Sequence, residues 1–424
     1  MRVLIINTSE RTGGAAVAAN RLMEALNNNG VKAKMLVREK ETKSITVVGL
    51  KYQWLQRWRF LWERWTIFSH LHWQRNHLFE VDIANTGANI TNLPEFREAD
   101  IIHLNWINQG MLSLKDIHRI LASGKPVVWT MHDMWPATAI CHYTKGCKAF
   151  TSECRNCQLL PGKGSKNDLA NKTWKRKQRM MKNGNITFVT CSRWLEGQAK
   201  QSQLLRDHHV MSIPNCIDTH TYKPQNKMRS RQEIGLPVDK RLLLFVSQRV
   251  TDERKGMNYL IEAIEKIVSQ HPEWKENTGV AILGGQASIF QEKLSLPVYP
   301  LGYVSDEKKI VDVYSSVDAF VIPSLEDNLP NTVMEALSCG VPCVGFKTGG
   351  IPEMIDHRKN GYIAEYRNSS DLADGIKWVI DEADRVSLSQ NALRKVALSY
   401  SQHSVAMKYI EAYNQASAFK RYRI

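Results

Sequence analysis

The chain predicts two doubly wound, Rossmann-like α/β domains in tandem, on three observations. Short apolar runs alternate with segments of helical periodicity from end to end, which implies parallel sheets covered by helices. The alternation restarts after Ile213-Pro214-Asn215. A length of 424 residues also suits two domains of about 200. We place an N-terminal domain at residues 1–214 and a C-terminal domain at 215–402, and expect a last helix, 403–424, to pack back on the first.

Met1–Asn7 is an apolar run ending in turn formers, hence a buried strand. Thr8–Gly14 is a loop, and Ala15–Asn28 carries Val17, Leu22, Ala25 and Leu26 at helical spacing. Ala33–Val37, Ile101–Leu104, Val127–Met131 and Ile186–Thr190 read as further buried strands. In the second half, Leu242–Ser247, Val280–Leu283, Val298–Tyr299, Ala319–Ile322, Cys343–Gly345 and Gly361–Ile363 are strands. Helices around Met257–Ser269, Lys308–Ser315, Thr332–Ser338 and Ser370–Glu382 separate them. Open α/β sheets bind ligands beyond the carboxyl ends of their strands, so the expected site is a cleft that the two domains face.

Composition narrows the function. Hydrophobic content of 43% with 23% charge excludes wholesale disorder. No apolar run reaches the ~18 residues of a spanning helix, and the N-terminal one is shorter than a secretory core. A soluble, cytoplasmic protein is the expectation. The net charge of +15 is unevenly placed: residues 1–214 hold 31 Lys+Arg against 16 Asp+Glu, and residues 215–424 hold 26 of each. A basic half beside a neutral half points to an anionic partner.

The richest stretch is Pro323-Ser324-Leu325-Glu326-Asp327-Asn328-Leu329-Pro330-Asn331-Thr332-Val333-Met334-Glu335-Ala336-Leu337-Ser338-Cys339-Gly340-Val341-Pro342. Asn331 is placed to cap a helix ending near Gly340, which sets a helix N-terminus, suited to phosphate, at the mouth of the sheet. Asp327 and Glu335, eight residues apart, can accept hydrogen bonds from sugar or ribose hydroxyls; two capping or solvated acids would look the same. Upstream, Arg249 and Lys255 lie in Val246-Ser247-Gln248-Arg249-Val250-Thr251-Asp252-Glu253-Arg254-Lys255-Gly256, after the first strand of the second half. Two fixed cations there suit a diphosphate and charge developing on it; Arg254 reads equally well as a solvated neighbour.

Together these stretches resemble the signature of retaining family 4 glycosyltransferases (glycosyl transferases group 1, GT-B fold), of the bacterial polysaccharide-biosynthesis type. The resemblance covers nearly the whole chain and is most specific from about residue 242 to 365. It implies that Glu335 binds the nucleotide ribose and that Arg249 and Lys255 hold the diphosphate. Asp327 takes the position of the family's first Glu, next to Glu326, leaving open which of the two faces the donor sugar. Asn328, Leu329, Pro330 and Asn331 then line the donor site. Gly13 and Gly14 match the loop near the donor phosphates, and His132, in Thr130-Met131-His132-Asp133, matches the histidine near the reacting sugar. Ile213-Pro214-Asn215-Cys216-Ile217-Asp218 resembles the interdomain motif, with Cys216 in place of Gly. Gly284-Gly285, Leu301-Gly302-Tyr303 and Gly349-Gly350-Ile351-Pro352-Glu353 match further loops. No Asp-x-Asp metal clamp occurs. As in the family, no cofactor is expected to be required, and the donor is a UDP- or GDP-linked sugar.

Two features lie outside that signature. Cys141, Cys147, Cys154 and Cys157 supply four thiols within 17 residues, the ligand count of tetrahedral zinc. Structural zinc is the expectation there, with His142 able to replace one thiol; two disulfides or a reduced loop are the alternatives. Lys51–Phe79 carries Trp54, Trp58, Trp62, Trp65 and Trp73, interleaved with Arg57, Arg59, Arg64 and Arg75 against one Glu63. Lys163–Lys182 adds eight Lys and Arg against Asp168. A Trp stripe with basic flanks suits an anionic leaflet, whereas a helix burying its Trp in the core would read identically.

The expected function is transfer of a sugar, with retention, from a nucleotide sugar to a glycan or polyprenyl-diphosphate-linked saccharide in cell-surface polysaccharide (including lipopolysaccharide) synthesis, at the inner membrane face. The alternatives are another GT-B enzyme, such as a sugar-nucleotide epimerase or sucrose-phosphate-type synthase, and a zinc-stabilised nucleic-acid-binding protein. No recognisable recognition helix supports the last, so no nucleic-acid partner is expected.

Overall fold

The computed structural model describes residues 1–182 and 184–421, with the side chains of residues 419–421 outside that description. The chain forms two compact units, Met1–Cys216 with Val405 onward, and Ile217–Ser404.

The first unit runs β1 (Arg2–Ser9), α1 (Gly14–Asn28), β2 (Lys32–Glu39), β3 (Val47–Gly49), α2 (Gln53–His70), α3 (Pro94–Glu98), β4 (Ile101–Leu104), α4 (Leu114–Ala122), β5 (Val127–Met131), α5 (Leu169–Met181), β6 (Ile186–Thr190), α6 (Arg193–Gln201) and β7 (His209–Ser212). Its seven-stranded sheet is parallel in the order β3-β2-β1-β4-β5-β6-β7. The period of two explains why the strands are apolar on both faces. Leu4 and Ile6 of β1 enter one core with Trp129 and Phe188, while Val3 and Ile5 enter the other with Leu22 and Leu26 of α1. Side chains fix the helix starts: Ser113 and Asp116 form a reciprocal capping box on α4, and Asp168 and Ser192 cap α5 and α6.

The second unit runs α7 (Lys227–Ile234), β8 (Arg241–Arg249), α8 (Met257–Gln270), α9 (Trp274–Asn277), β9 (Thr278–Gly285), β10 (Val298–Gly302), α10 (Glu307–Ser316), β11 (Ala319–Ile322), α11 (Asn331–Ser338), β12 (Cys343–Phe346), α12 (Ile351–Met354), β13 (Gly361–Ala364), α13 (Ser369–Lys377) and α14 (Arg385–Ser399). Its six strands are parallel in the order β10-β9-β8-β11-β12-β13.

The last helix, α15 (Gln402–Arg421), buries Val405, Tyr409, Ala412 and Tyr413 in the same core as α1, within the first unit. Tyr413 Oη lies 2.7 Å from His103 Nδ1, and Tyr409 Oη lies 2.9 Å from Thr130 Oγ1. Residues 422–424 of the expected segment lie outside the described residues.

In both sheets the winding reverses direction once. The chain steps outward from β1 to β3, then returns to place β4 on the other side of β1; β8 and β11 stand in the same relation. Each switch point opens a crevice beyond the strand ends of its own sheet, where doubly wound folds place ligands.

Candidate functional site

At the switch point of the second unit, β8 leads into a single 3-10 turn, Glu253–Lys255, and Gly256 then starts α8. Gly256 has φ 73°, and a Cβ there would lie 1.9 Å from the Pro323 carbonyl oxygen. Only glycine therefore lets this loop press against the loop that follows β11. The approach brings Lys255 Nζ to 2.6 Å from Asp327 Oδ2. Arg254 donates to the Glu326 carbonyl oxygen at 2.7 Å and sits 4.0 Å from the Asp327 carboxylate. Burial pushes the Asp327 carboxyl up, but Lys255, Arg254 and a hydrogen bond from Ser324 outweigh it and hold it below the usual carboxylate range. Asp327, next to Glu326, is thus the carboxylate directed at Lys255.

Behind Asp327 the loop is tightly backed. Gly349, at φ 55°, would place a Cβ 1.6 Å from the Asp327 carbonyl, and Gly350 N donates to Asn328 O at 2.8 Å. Asn331, expected as a cap, is instead the first residue of α11; Pro330 occupies the cap position, and no side chain caps this N-terminus. Leu329 and Asn328 are buried beneath it. Glu335 lies in the second turn of α11, nearly buried, with its Oε2 accepting the Tyr314 hydroxyl at 3.0 Å. Burial first, and the Glu335 carboxylate second, push the Tyr314 phenol well above its ordinary value, so it stays a donor. Arg249 ends β8 with an exposed side chain that makes no ion pair or side-chain hydrogen bond among the described residues.

At the switch point of the first unit, Gly13 caps α1 with φ 92°, and a Cβ there would meet nothing within 4 Å. The backbone conformation, not crowding, calls for glycine at Gly13, where a side chain would meet open space. The ends of β1 and β4 are tied together, with Asn7 Oδ1 accepting from Trp106 N at 3.0 Å. One strand over, after β5, His132 Nε2 lies 2.9 Å from Asn105 Oδ1, and its Nδ1 lies 3.6 Å from Cys191 Sγ. With the Asn105 oxygen as acceptor, Nε2 carries the proton. Burial pulls this imidazole down to about 4, against a smaller upward pull from Asp133. His132, Asn105, Thr130, Asn215 and Tyr409 line one small pocket. Asn105 and Tyr314 carried no sequence signal beyond a strand-end amide and a helical apolar position; each emerges only from its partner.

The zinc expectation is corrected by the geometry. Among the described residues, no group of three or more His, Cys, Asp or Glu side chains is arranged to hold a metal ion. Cys141, Cys147, Cys154 and Cys157 are free and half-buried, and all but Cys147 pack against the apolar core. Burial raises the Cys141 and Cys154 thiols to about 12. The segment is held by α5 instead: Asp168 Oδ2 accepts from Cys157 N at 2.9 Å, and Asn171 donates to Cys154 O at 3.1 Å. Lys177, buried over the Trp135 ring, donates to the carbonyls of Trp135 and Thr138. His142 is no thiol substitute, because Asp82 and Asp133 grip its two ring nitrogens at 2.6 and 2.7 Å.

Two family models match the chain: Glycosyltransferase Family 4 over residues 12–221 and Glycosyl transferases group 1 over residues 240–382. The chain belongs to these glycosyltransferases, and its two parallel-sheet units are those of the GT-B fold. Among relatives, a D-inositol 3-phosphate glycosyltransferase of Corynebacterium jeikeium is 29% identical over 198 residues, 43% of this chain and 46% of that protein. An uncharacterized glycosyltransferase of Methanocaldococcus jannaschii is 31% identical over 200 residues, 45% of this chain and 49% of that protein. The chain thus spans about half the length of the curated relatives it matches. Among solved structures, sucrose-phosphate synthase from Thermosynechococcus elongatus has TM-score 0.65 at 17% identity, over 98% of this chain and 99% of that one. Anabaena HepE in complex with UDP has TM-score 0.64 at 15% identity, over 98% and 100%. The lipopolysaccharide-biosynthesis glycosyltransferase WaaG has TM-score 0.60 at 13% identity, over 97% and 99%.

Proposed function

We propose that this chain transfers a sugar, with retention of anomeric configuration, from a nucleoside-diphosphate sugar to a glycan or polyprenyl-diphosphate-linked saccharide in cell-surface polysaccharide synthesis. The observation that carries the proposal is the Lys255–Asp327 pair at the β8/β11 switch point, beside the N-terminus of α11, which no side chain caps. Lys255 and Arg249 would meet the diphosphate and stabilise charge as the glycosyl bond breaks. Glu335 would accept from the ribose hydroxyls, steadied by Tyr314. Asp327, neutralised by Lys255 until the diphosphate competes for that ammonium, would turn to the donor sugar's hydroxyls. Asn328, Leu329, Pro330 and Asn331 would shape that pocket, and Gly13 and Gly14 would admit phosphate or acceptor oxygens to the backbone. His132, neutral with its Nε2 proton directed at Asn105, would offer Nδ1 as a hydrogen-bond acceptor near the reacting sugar without adding charge.

UDP is the first nucleotide to try, since HepE of the same fold is known in complex with UDP and with UDP-glucose. A phosphate-bearing acceptor suits the basic first half, and several relatives are named for an inositol phosphate. The test is thermal stabilisation by UDP, GDP, ADP and CMP, with and without magnesium. A ligand that binds only the folded chain raises the melting temperature by mass action. Selective stabilisation by one of them, persisting without magnesium, supports the donor reading; none with any of them counts against it.

A further inference from the structure

Helix α2 is turned inside out relative to an ordinary surface helix. Its buried positions are Gln56, Glu63, Arg64 and Ile67, whereas Trp54, Trp58, Leu61, Trp62 and Trp65 are 67%, 60%, 52%, 47% and 52% exposed. The exposed five recur at three- and four-residue steps and form one stripe about 16 Å long at the helical rise of ~1.5 Å per residue. Neighbouring rings associate along it, with Trp62 and Trp65 stacked at 5.3 Å between centroids and Trp58 and Trp62 at 6.4 Å. The rotation is locked from beneath. The Glu63 carboxylate accepts from Ile83 N and Ala84 N at 3.1 and 2.7 Å, and Arg64 donates to Leu78 O and Val81 O and pairs with Asp82. Turning the tryptophans inward would break that whole set and strand two charges.

Charge says what covers the stripe. Glu63 is the sole carboxylate in residues 51–79 and it points inward, so the exposed charges of this segment are Lys51, Arg57 and Arg75, all positive. A second copy of the chain apposed on this stripe would bring like charges together. An anionic bilayer surface opposes them with lipid phosphates, and indole, an apolar body with one N–H donor, partitions to that boundary. We infer that α2 is a membrane-docking helix, laying its Trp54–Trp65 stripe into the headgroup region of an anionic leaflet while Lys51, Arg57 and Arg75 contact the phosphates. This inference does not rest on the donor reading, since nucleotide binding and lipid binding are measured separately.

The test is flotation of the full chain with vesicles of phosphatidylcholine alone and of phosphatidylcholine mixed with phosphatidylglycerol. The variants are W54S/W58S/W62S/W65S and, separately, Arg57→Gln with Arg75→Gln. Because the four indoles are exposed, the first variant should melt as the parent does. The expected result is at least about tenfold stronger partition to the anionic vesicles, with a blue shift of tryptophan emission. The Trp variant should lose it, and each lost arginine should weaken it by up to about fivefold. Undiminished vesicle binding by the folded Trp variant would overturn the inference. So would a parent chain that ignores both vesicles and sediments as a dimer that the Trp variant dissolves, which would make the stripe a self-association surface.

Discussion

At the scale of single residues, the Lys255–Asp327 contact depends on the glycine between their loops. Gly256→Ala forces a left-handed backbone on alanine and drives a Cβ against the Pro323 carbonyl. The expected cost is about 1–3 kcal/mol of stability, read as a lower melting temperature, with donor turnover reduced as well because Lys255 is displaced. Lys255→Ala should fold normally and lose about 10²–10³ in turnover, since one preorganised charge is removed from the leaving group. Spacing put a cation and an acid on separate loops; it did not say that they pair. Likewise, a histidine at a strand end was legible at residue 132, but the proton position that Asn105 imposes was not, because Asn105 comes from a different strand.

At the scale of elements, most strands and helices were readable because buried parallel strands are near-continuous apolar runs. The strands that escaped, β3 (Val47–Gly49) and β7 (His209–Ser212), sit at the two sheet edges, where one side lacks a neighbour and the pattern thins. Helix α2 shows a different limit. Periodicity identifies the residues that share a face but not which face is inward; that choice is made by Leu78, Val81, Ile83 and Ala84, many residues downstream. Glu63→Ala should therefore cost about 2–3 kcal/mol or more, because it leaves the buried Ile83 and Ala84 amides without an acceptor, whereas Trp58→Ala should stay within about 0.5 kcal/mol. Denaturant titration of the two variants separates them; equal losses would contradict the inverted orientation. The cysteine segment failed for a related reason. Four thiols satisfy a ligand count, but α5 already supplies the hydrogen bonds that hold the loop.

At the scale of the whole molecule, two neutral histidines, His103 buried and His132 half-buried, tie the first unit's stability to pH. Burial pulls His103 down to about 3, helped by His132, which is itself pulled to about 4. Unfolded histidine titrates near 6.5, so between there and the folded values the unfolded chain binds more protons. The contribution of these residues is fully present above about pH 6.5 and is lost as pH falls toward 4, with a slope of at most about 1.4 kcal/mol per pH unit for each. His103→Gln should lower stability at neutral pH and flatten that acid limb; an unchanged slope would show that His103 is not held neutral. The excess positive charge lies entirely in the first half, while the residues proposed to hold the diphosphate lie in the balanced half. The proposed nucleoside-diphosphate site is built on Lys255, Asp327 and Glu335. Calorimetric titration of the parent chain, Lys255→Ala and Glu335→Gln with UDP, in the absence of magnesium, tests it most directly. Measurable binding is expected of the parent, with affinities about 10- to 100-fold weaker in both variants, as follows from lost contacts to charged groups. Folded variants that bind UDP as tightly as the parent would contradict it.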